Sequence, residues 1–193
     1  MPAPVDHAAK RKAIARISAE LIAERGLQAA TIRQVAARAG FSTTVVTHYF
    51  ANKRALLLAA YRYVAERTQQ RFDAMAADDE SEPLSRLEIL LPLDAEGRNA
   101  WRLYFQFWPM ADHDEELAEE QRWWSDNARS LARAMLELAR PDLVDIDRKA
   151  TLALSALHGI AMQALFDPDN WPASRQQEVW RTQAQLLSAN AMA

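Results

Sequence analysis

Four hydrogen-bonding side chains of short reach lie close together in the first third of the chain. These are Thr43, Thr44, Thr47 and His48. Threonine is a mediocre helix former, so helix propensity does not account for the composition of this segment. Hydroxyl, imidazole and methyl groups can meet base edges and phosphates in the major groove of DNA. We therefore interpret the segment as a DNA-reading helix, with a small solvated helix as the alternative.

The residues around this segment predict two short helices joined by a tight turn. Thr31 and Gln34 have the spacing of a capping box, which starts a helix. Gly40 can adopt the left-handed conformation that ends this helix. Ser42 is a good N-cap for the second helix, which runs to about Tyr49. A helix–turn–helix has this arrangement and places its second helix in the major groove.

The stretch from Thr31 to Lys53, TIRQVAARAGFSTTVVTHYFANK, resembles the DNA-binding domain of TetR-type repressors. It meets every fixed position of the family pattern T-[IV]-x-x-[IV]-A-x-x-A-G-[VF]-S-x-x-x-[VIL]-x-x-[YH]-F-x-x-K. The run from Ser42 to Phe50 looks most like the BetI type, which comprises choline-responsive repressors of glycine-betaine synthesis. The resemblance implies an all-α protein, with an N-terminal helix–turn–helix domain followed by a helical ligand-binding and dimerisation domain.

On this hypothesis, two sets of residues contact double-stranded operator DNA. The side chains expected to face base edges are Thr43, Thr44, Val45 and Thr47. Those expected to reach phosphates are Thr31, Arg33, Ser42, His48, Tyr49 and Lys53. The charge distribution agrees, because residues 1–60 hold nine Lys or Arg against three Asp or Glu, a net charge of +6. The rest holds 14 against 23, a net charge of −9, so a basic head precedes an acidic body.

The basic residues at the start of the first helix have two open interpretations. Lys10, Arg11, Lys12 and Arg16 could form a solvated face, or they could belong to an arm that neutralises phosphates or enters a minor groove.

Composition and helical periodicity predict the organisation of the whole chain. With 50% hydrophobic residues, 25% charged residues and four glycines, the sequence suits an all-helical protein. The acidic run at 78–82 followed by Pro83 marks a boundary. We therefore divide the chain into a DNA-binding domain at 1–52, a linking helix at 53–77 and a ligand-binding and dimerisation domain at 78–193. Later helices are expected at about 95–108, closed by Pro109, and at 117–138, 150–166 and 174–190.

Aromatic residues are dense in the C-terminal domain, which indicates either a large core or a pocket. The candidate pocket residues are Trp101, Tyr104, Phe105, Trp108 and Trp124, with Met162 and Phe166 as candidates for closing it. Tryptophan is rarely fully buried and its N–H needs a partner, whereas facing rings suit an organic cation. The segment AWRLYFQFW at 100–108 also resembles BetI-type ligand domains, so the effector implied is choline or a relative.

Dimerisation is expected because one short reading helix covers too few base pairs for useful specificity. The nearly all-apolar helix from Ala150 to Phe166 and the apolar face from Val179 to Leu187 could form a four-helix interface between two copies.

No residue pattern supports catalysis, a cofactor or a metal site. The segment Asp112-His113-Asp114 could ligate a metal but fits a turn between helices better, and His158 is either a core residue or a ligand contact. The chain has no cysteine, no apolar signal segment near its start and no run long enough to span a bilayer, so a cytoplasmic protein is expected. The rival class is an all-helical small-molecule-binding protein or enzyme that does not bind regulatory DNA.

Overall fold

The computed structural model describes residues 7–76 and 82–189, and these form eight α-helices without a β-strand in the described part. The helices are α1 (His7–Arg25), α2 (Ile32–Ala39), α3 (Thr43–Tyr49), α4 (Lys53–Ala76), α5 (Ala95–Ala111), α6 (Glu115–Ala139), α7 (Ile146–Phe166) and α8 (Ala173–Ser188). Two short 3₁₀ helices lie at Leu27–Ala29 and Ser85–Leu90. None of the described helices is both long and apolar enough to cross a membrane.

The first three helices and the start of α4 share a small apolar core. Val35 of α2 and Val46 of α3 are fully buried against Ile14 of α1 and Leu56 of α4. Phe50, which directly follows α3, is 1% exposed and packs into the same core. The Arg11 guanidinium lies 5.0 Å from the centre of the Phe50 ring. The basic start of α1 is thus partly fixed against the core and is helical from His7 onward.

A second core cluster joins the head to the rest of the molecule through α4. Leu57 and Tyr61 of α4 pack with Ile22 of α1 and with Leu103 and Phe107 of α5. The Tyr61 and Phe107 rings are stacked, with centroids 4.1 Å apart. Because α4 contributes to the apolar cores of both the head and the body, a tilt of this helix would disturb the packing of both.

The remaining core is built by α6, α7 and α8 around the 3₁₀ helix at Ser85–Leu90. Trp180 of α8 is completely buried, and its indole N–H donates to the Leu84 carbonyl at 3.0 Å. Glu88 is also buried and accepts hydrogen bonds from Gln177 at 2.6 Å and Arg181 at 2.8 Å. These contacts fasten the 3₁₀ helix to α8, so the body behaves as one packed unit.

The predicted boundaries of α5 and α7 differ from the structure. Pro109 does not close α5, which continues to Ala111, because a proline near the helix end removes only one backbone hydrogen bond. The apolar helix α7 starts at Ile146 instead of Ala150. Residues 77–81, which contain most of the predicted acidic boundary, and Asn190 lie outside the described residues.

Candidate DNA-contacting surface and ligand cavity

Local hydrogen bonds hold α2 and α3 in the predicted helix–turn–helix. The Thr31 hydroxyl accepts a hydrogen bond from the Gln34 N–H at 3.2 Å, and the Ser42 hydroxyl accepts one from the Val45 N–H at 3.2 Å. Gly40 adopts φ 68° between the two helices, in the left-handed region. These contacts confirm the N-cap at Thr31, the glycine turn and the N-cap serine. The reciprocal half of the predicted capping box is not formed, because the Thr31 N–H donates to the Ala29 carbonyl at 2.9 Å instead of to the Gln34 side chain. The two helices are therefore fixed relative to each other by residues outside the open face of α3.

The open face of α3 carries the predicted base-contacting side chains. Thr43, Thr44, Thr47 and His48 are exposed, and Val45 is half-buried beside them. Val46 points the other way and is fully buried. The Thr47 hydroxyl donates back to the Thr43 and Thr44 carbonyls at 3.1 Å each, which leaves its oxygen able to accept a hydrogen bond. α3 thus presents methyl, hydroxyl and imidazole groups to solvent on one side.

The predicted phosphate-contacting residues are all at least partly exposed. Arg33 is exposed on α2, and Thr31 and Ser42 use their hydroxyls as caps. The Tyr49 hydroxyl lies 2.9 Å from Nδ1 of His7. Nζ of Lys53 donates to the Gln28 side chain at 3.3 Å, an exposed contact that a phosphate could replace. Solvent can therefore reach each of these residues in the single chain.

A cavity of about 110 Å³ lies in the body between α4, α5, α6 and α7. Trp101, Tyr104, Trp108 and Trp124 line it, as the aromatic pattern predicts. The Trp101 ring is nearly perpendicular to Tyr104, at 88° and 5.7 Å between centroids, and to Trp108, at 86° and 6.1 Å. The rings therefore form adjoining walls of the cavity instead of a flat stack.

Three residues of the predicted pocket lie elsewhere. Phe105 does not line the cavity but packs behind it, with its ring 5.4 Å from Trp101 and 5.2 Å from Trp108. Met162 and Phe166 also do not line it, and they are 45% and 80% exposed. The prediction that they close the pocket is corrected, because each helical turn rises about 5.4 Å. Met162 lies about one turn and Phe166 about two turns beyond His158, so both side chains lie past the end of the cavity.

Several polar residues of the cavity were not predicted from the sequence. The Tyr61 hydroxyl of α4 donates to the Gln121 side chain, and Gln121 donates in turn to Ser125 at 3.1 Å. The Thr68 hydroxyl lies 3.4 Å from the Tyr104 hydroxyl. From the sequence, the spacing of Tyr61 indicates that it lies on a buried face of α4, and the spacing of Gln121 indicates that it lies on the packing face of α6. To predict that both line one cavity, the packing of α4 against α6 would have to be known.

The cavity is close to electrically neutral at pH 7. No Asp or Glu is among the described residues that line it, and the charge of Arg71 is matched by Asp94 at 2.5 Å. Burial raises the pKa of Tyr104 to about 12 and also raises the pKa of Tyr61. Burial lowers the pKa of His158. The lining therefore presents neutral hydroxyls, a neutral imidazole and aromatic faces to a ligand.

A carboxylate just outside the cavity connects its wall to α4. The Trp124 indole N–H donates to Glu120 at 2.9 Å, and the Arg62 guanidinium of α4 donates to the same carboxylate at 2.5 Å. About two turns nearer the start of α4, Arg54 pairs with Asp114 at 2.5 Å. The Arg54 contact holds the pKa of Asp114 below its usual range. A shift of Trp124 would thus be transmitted to α4 through the side chains of Glu120 and Arg62.

The segment at Asp112-His113-Asp114 is a turn between helices. Asp114 is the N-cap of α6, and its carboxylate accepts a hydrogen bond from the Leu117 N–H at 3.2 Å. The described residues contain no group of three or more His, Asp or Glu side chains placed to hold a metal ion. The prediction of a turn at this position is therefore confirmed.

Two families match consecutive parts of the chain. Residues 14–60 match bacterial regulatory proteins of the tetR family, and residues 82–188 match the C-terminal domain of BetI-type transcriptional repressors. The HTH-type transcriptional regulator PksA of Bacillus subtilis is 30% identical over 176 residues, which cover 87% of this chain and 84% of PksA. The regulator BetI of Stenotrophomonas maltophilia is 30% identical over 117 residues, but the match covers only 58% of this chain and 60% of BetI.

Solved structures have the same fold over almost the whole chain. A transcriptional regulator from Rhodococcus sp. Rha1 aligns with a TM-score of 0.80 and 26% identity, over 92% of this chain and 94% of that one. A regulator from Saccharomonospora viridis, solved in complex with choline, aligns with a TM-score of 0.83 and 19% identity, over 92% and 96%. The chain is thus a transcriptional regulator of the TetR family and not an enzyme, and its C-terminal domain is of the BetI type.

Proposed function

We propose that this regulator is a repressor that releases operator DNA when a small organic cation, such as choline, occupies the cavity. The observation that carries the proposal is the position of α4. Its first residue, Lys53, is one of the residues proposed to contact DNA, and Tyr61, about two turns later, lines the cavity. To release DNA, the ligand must bind the non-operator conformation more tightly than the operator-bound one.

The domain division follows from this arrangement. Residues 1–52 read DNA, residues 53–77 form the link, and residues 78–193 hold the ligand and the second subunit. Within the head, Thr43, Thr44, Val45 and Thr47 contact base edges. Phosphate contacts come from the remaining predicted residues: Thr31, Arg33, Ser42, His48, Tyr49 and Lys53. The exposure of the α3 face and the net charge of +6 over residues 1–60 support these roles.

The lining of the cavity favours a quaternary ammonium over a primary amine. Aromatic faces attract a cation, at about 0.5–2 kcal/mol for each well-placed ring. A protonated primary amine would also bring N–H donors that need acceptors, whereas the described lining includes no carboxylate. A quaternary ammonium has no N–H group and therefore needs no hydrogen-bond acceptor. The choline bound to the Saccharomonospora viridis regulator and the BetI-type relatives support the same ligand class.

The regulator acts in the cytoplasm as a homodimer built on α7 and α8. Leu152 and Phe166 of α7 are 52% and 80% exposed in the single chain, and Leu186 of α8 is 65% exposed. Apolar side chains of this size on two neighbouring helices suit an isologous interface, in which the same surface meets itself across a two-fold axis. Such a dimer would place two copies of α3 on two half-sites of an operator.

Choline titrations that follow ligand binding and DNA binding together test the proposal. We expect saturable binding by calorimetry, and release of DNA from upstream of the gene over the same concentration range. The adjacent tryptophans provide a matched pair of variants, because Trp124 lines the cavity whereas Trp123 is 56% exposed. Trp124→Leu should weaken choline binding, and Trp123→Leu should not.

The possible negative results separate the two halves of the proposal. If the protein retards no DNA from its own locus or from a random library, it is not a repressor. If it binds an anionic or apolar ligand, releases DNA and responds to no cation, the repressor function stands and the cation site is wrong.

A further inference from the structure

An aromatic cluster joins the first residue of α1 to the last turn of α3. The Tyr49 hydroxyl lies 2.9 Å from Nδ1 of His7, although 42 positions separate the two residues in the sequence. The Tyr49 ring is nearly perpendicular to the His48 ring, at 82° and 5.1 Å between centroids, and the His7 and His48 rings are 6.2 Å apart. Both imidazoles are exposed and Tyr49 is half-buried. Two groups that can carry a positive charge therefore lie beside one phenol where solvent reaches the head.

Among the described residues of these two helices, the charged side chains nearest to the cluster are cationic. Lys10 and Arg11 follow His7 on α1 by about one turn, and the first turn of α1 contains no acidic residue. The Arg11 guanidinium lies 5.0 Å from the centre of the ring of Phe50, which directly follows Tyr49. The whole of α3 contains no Asp or Glu. The local charge therefore favours an anion as the partner of this cluster.

The direction of the hydrogen bond between His7 and Tyr49 depends on the charge of the imidazole. A neutral imidazole has one donor and one acceptor nitrogen, whereas an imidazolium can only donate. When Nδ1 of a neutral His7 accepts, the single proton of the Tyr49 hydroxyl is used within the protein. When His7 is charged, its Nδ1–H donates to the phenol oxygen, and the proton of Tyr49 is free for another acceptor. One protonation thus adds a positive charge and makes Tyr49 a donor toward a bound anion.

We propose that His7, His48 and Tyr49 form a proton-linked phosphate-binding site, in which His7 sets the direction of the Tyr49 hydroxyl. This inference rests on the proposed function, because it assumes that the end of α3 faces DNA. A DNA phosphate stabilises the charged imidazoles, so the complex holds more protons than the free protein and free DNA together. Affinity for DNA therefore increases as the pH falls from 8 to 6, the interval in which histidine commonly changes its charge. Phosphates carry no sequence information, so the effect applies to any duplex.

The test measures binding of two labelled duplexes, one from upstream of the gene and one of random sequence, at pH 6, 7 and 8 and constant ionic strength. Linkage gives up to a tenfold change per pH unit for each proton taken up, so both duplexes should bind about 10-fold more tightly at pH 6 than at pH 8. Calorimetry in buffers of different ionisation enthalpy should show net proton uptake on binding. Both measurements use the unmodified protein, so neither depends on whether a variant folds.

Variants then assign the proton uptake to the cluster. His7→Gln cannot become charged but keeps groups that can hydrogen-bond to Tyr49, so it should match the original protein at pH 8 and lose most of the gain in affinity at pH 6. Tyr49→Phe should lose affinity mainly at pH 6. The double variant should lose little more than His7→Gln, because His7 acts partly through Tyr49. His113→Gln is the matched control, since His113 is exposed between α5 and α6, and its pH profile should be unchanged.

The possible negative results separate this site from the repressor function. DNA affinity that is independent of pH, without proton uptake, would overturn the site and leave the repressor intact. The same holds if His7→Gln keeps the full pH dependence, or if it loses affinity equally at pH 6 and pH 8, because the contact would then be structural only. Asp6 precedes His7 and lies outside the described residues, but carboxylates ordinarily titrate at about pH 4, below this interval. If the protein binds neither duplex, the proposed function itself fails.

Discussion

The side-chain oxygen of Gln106 accepts a hydrogen bond from the Leu27 N–H at 2.6 Å, across the junction between the body and the DNA-binding head. The amide nitrogen of Gln106 donates to the Ile22 carbonyl in the last turn of α1 at 3.3 Å. Gly26, with φ 83°, lies between these two backbone groups, and a Cβ there would stand 3.3 Å from the Gln106 oxygen. The Gln106 side chain of α5 therefore hydrogen-bonds to two backbone groups at the C-terminal end of α1, although it belongs to the body and not to the head.

This contact predicts that Gln106 transmits ligand binding to the head. Trp101, Tyr104 and Trp108 line the cavity from the same helix, so a ligand that shifts α5 also shifts the support of α1. Gln106→Leu should destabilise the protein by about 1–3 kcal/mol, because it leaves the Leu27 N–H unpaired, whereas the Ile22 carbonyl keeps its bond from the Gly26 N–H at 2.9 Å. It should also reduce the factor by which choline lowers operator affinity.

Fluorescence anisotropy with labelled operator, at zero and saturating choline, measures that factor directly. Arg102→Gln is the matched control, because Arg102 is exposed on the same helix and, among the described residues, its guanidinium hydrogen-bonds to Asn99 alone, at 3.3 Å. A Gln106→Leu protein that binds choline normally and retains the full operator response would show that the contact is structural only.

Lys53 is predicted to contact a phosphate and to carry no sequence information. Lys53→Ala should weaken binding to all DNA sequences alike and reduce the slope of log K against log salt by about 1 per subunit. Lys149→Ala is a suitable control, because Lys149 lies in the body and donates to the Ala189 carbonyl. Unchanged affinity and an unchanged slope for Lys53→Ala would contradict the phosphate contact.

Thr44 is predicted to act on specificity, since it is exposed on the open face of α3. Thr44→Ala should reduce discrimination at one base pair of each half-site by about 1–3 kcal/mol and leave the salt slope nearly unchanged. Binding to a set of operators with single base-pair substitutions measures this effect. A uniform loss of affinity across the whole set would instead assign Thr44 to the DNA backbone.

The helix–turn–helix could be predicted in detail because its determinants are local. The Thr31 cap, the Gly40 turn and the Ser42 cap each act over three or four residues, so their spacing in the sequence is their spacing in the structure. The N-cap of α5 is equally local, because the Asp94 carboxylate accepts a hydrogen bond from the Gly97 N–H three residues later, at 2.7 Å. Local signals of this kind survive any tertiary arrangement.

The cavity could be predicted only in part because it is assembled from distant elements. Trp101, Tyr104 and Trp108 share one helix face, so periodicity was enough to group them. Tyr61 and His158 reach the same cavity from α4 and α7, and no pattern within either helix shows which turn lies beside α5. Periodicity also predicts which face of a helix a residue lies on, but not which level of the neighbouring helix it lies beside. The prediction that Phe166 closes the cavity was wrong for this reason.

His158 predicts a pH dependence of both stability and ligand binding. Burial lowers its pKa below the ordinary value of 6.5, so the folded protein holds the imidazole neutral while the unfolded chain takes up a proton. Stability from this group is therefore complete above pH 6.5 and falls as pH drops toward the lowered pKa, by up to about 1.4 kcal/mol per unit of depression. Choline affinity should fall over the same interval, because a protonated His158 would repel the cation.

Urea unfolding and choline calorimetry at several pH values between 7 and 5 measure these effects. The difference between the original protein and His158→Phe isolates the contribution of His158 from that of other groups. Among the described residues that line the same cavity, the charged side chain is Arg71, and its ion-pair partner Asp94 lies outside the lining; both are retained in the variant. Parallel pH profiles for the two proteins would show that His158 does not titrate in this interval.

The exposed apolar face of α7 and α8 predicts that a single charge there separates the subunits. Phe166 is 80% exposed in the single chain, and Phe166→Asp would place a carboxylate against apolar side chains of the second copy. Light scattering should change from twice the chain mass of 21.8 kDa to 21.8 kDa, and operator affinity should fall steeply because each monomer reaches one half-site. Leu138→Asp is the matched control, since Leu138 is 57% exposed on α6, a helix that the proposed interface does not include. The dimer assignment fails if the original protein has the mass of one chain at micromolar concentration, or if Phe166→Asp and Leu138→Asp give the same mass and the same operator affinity.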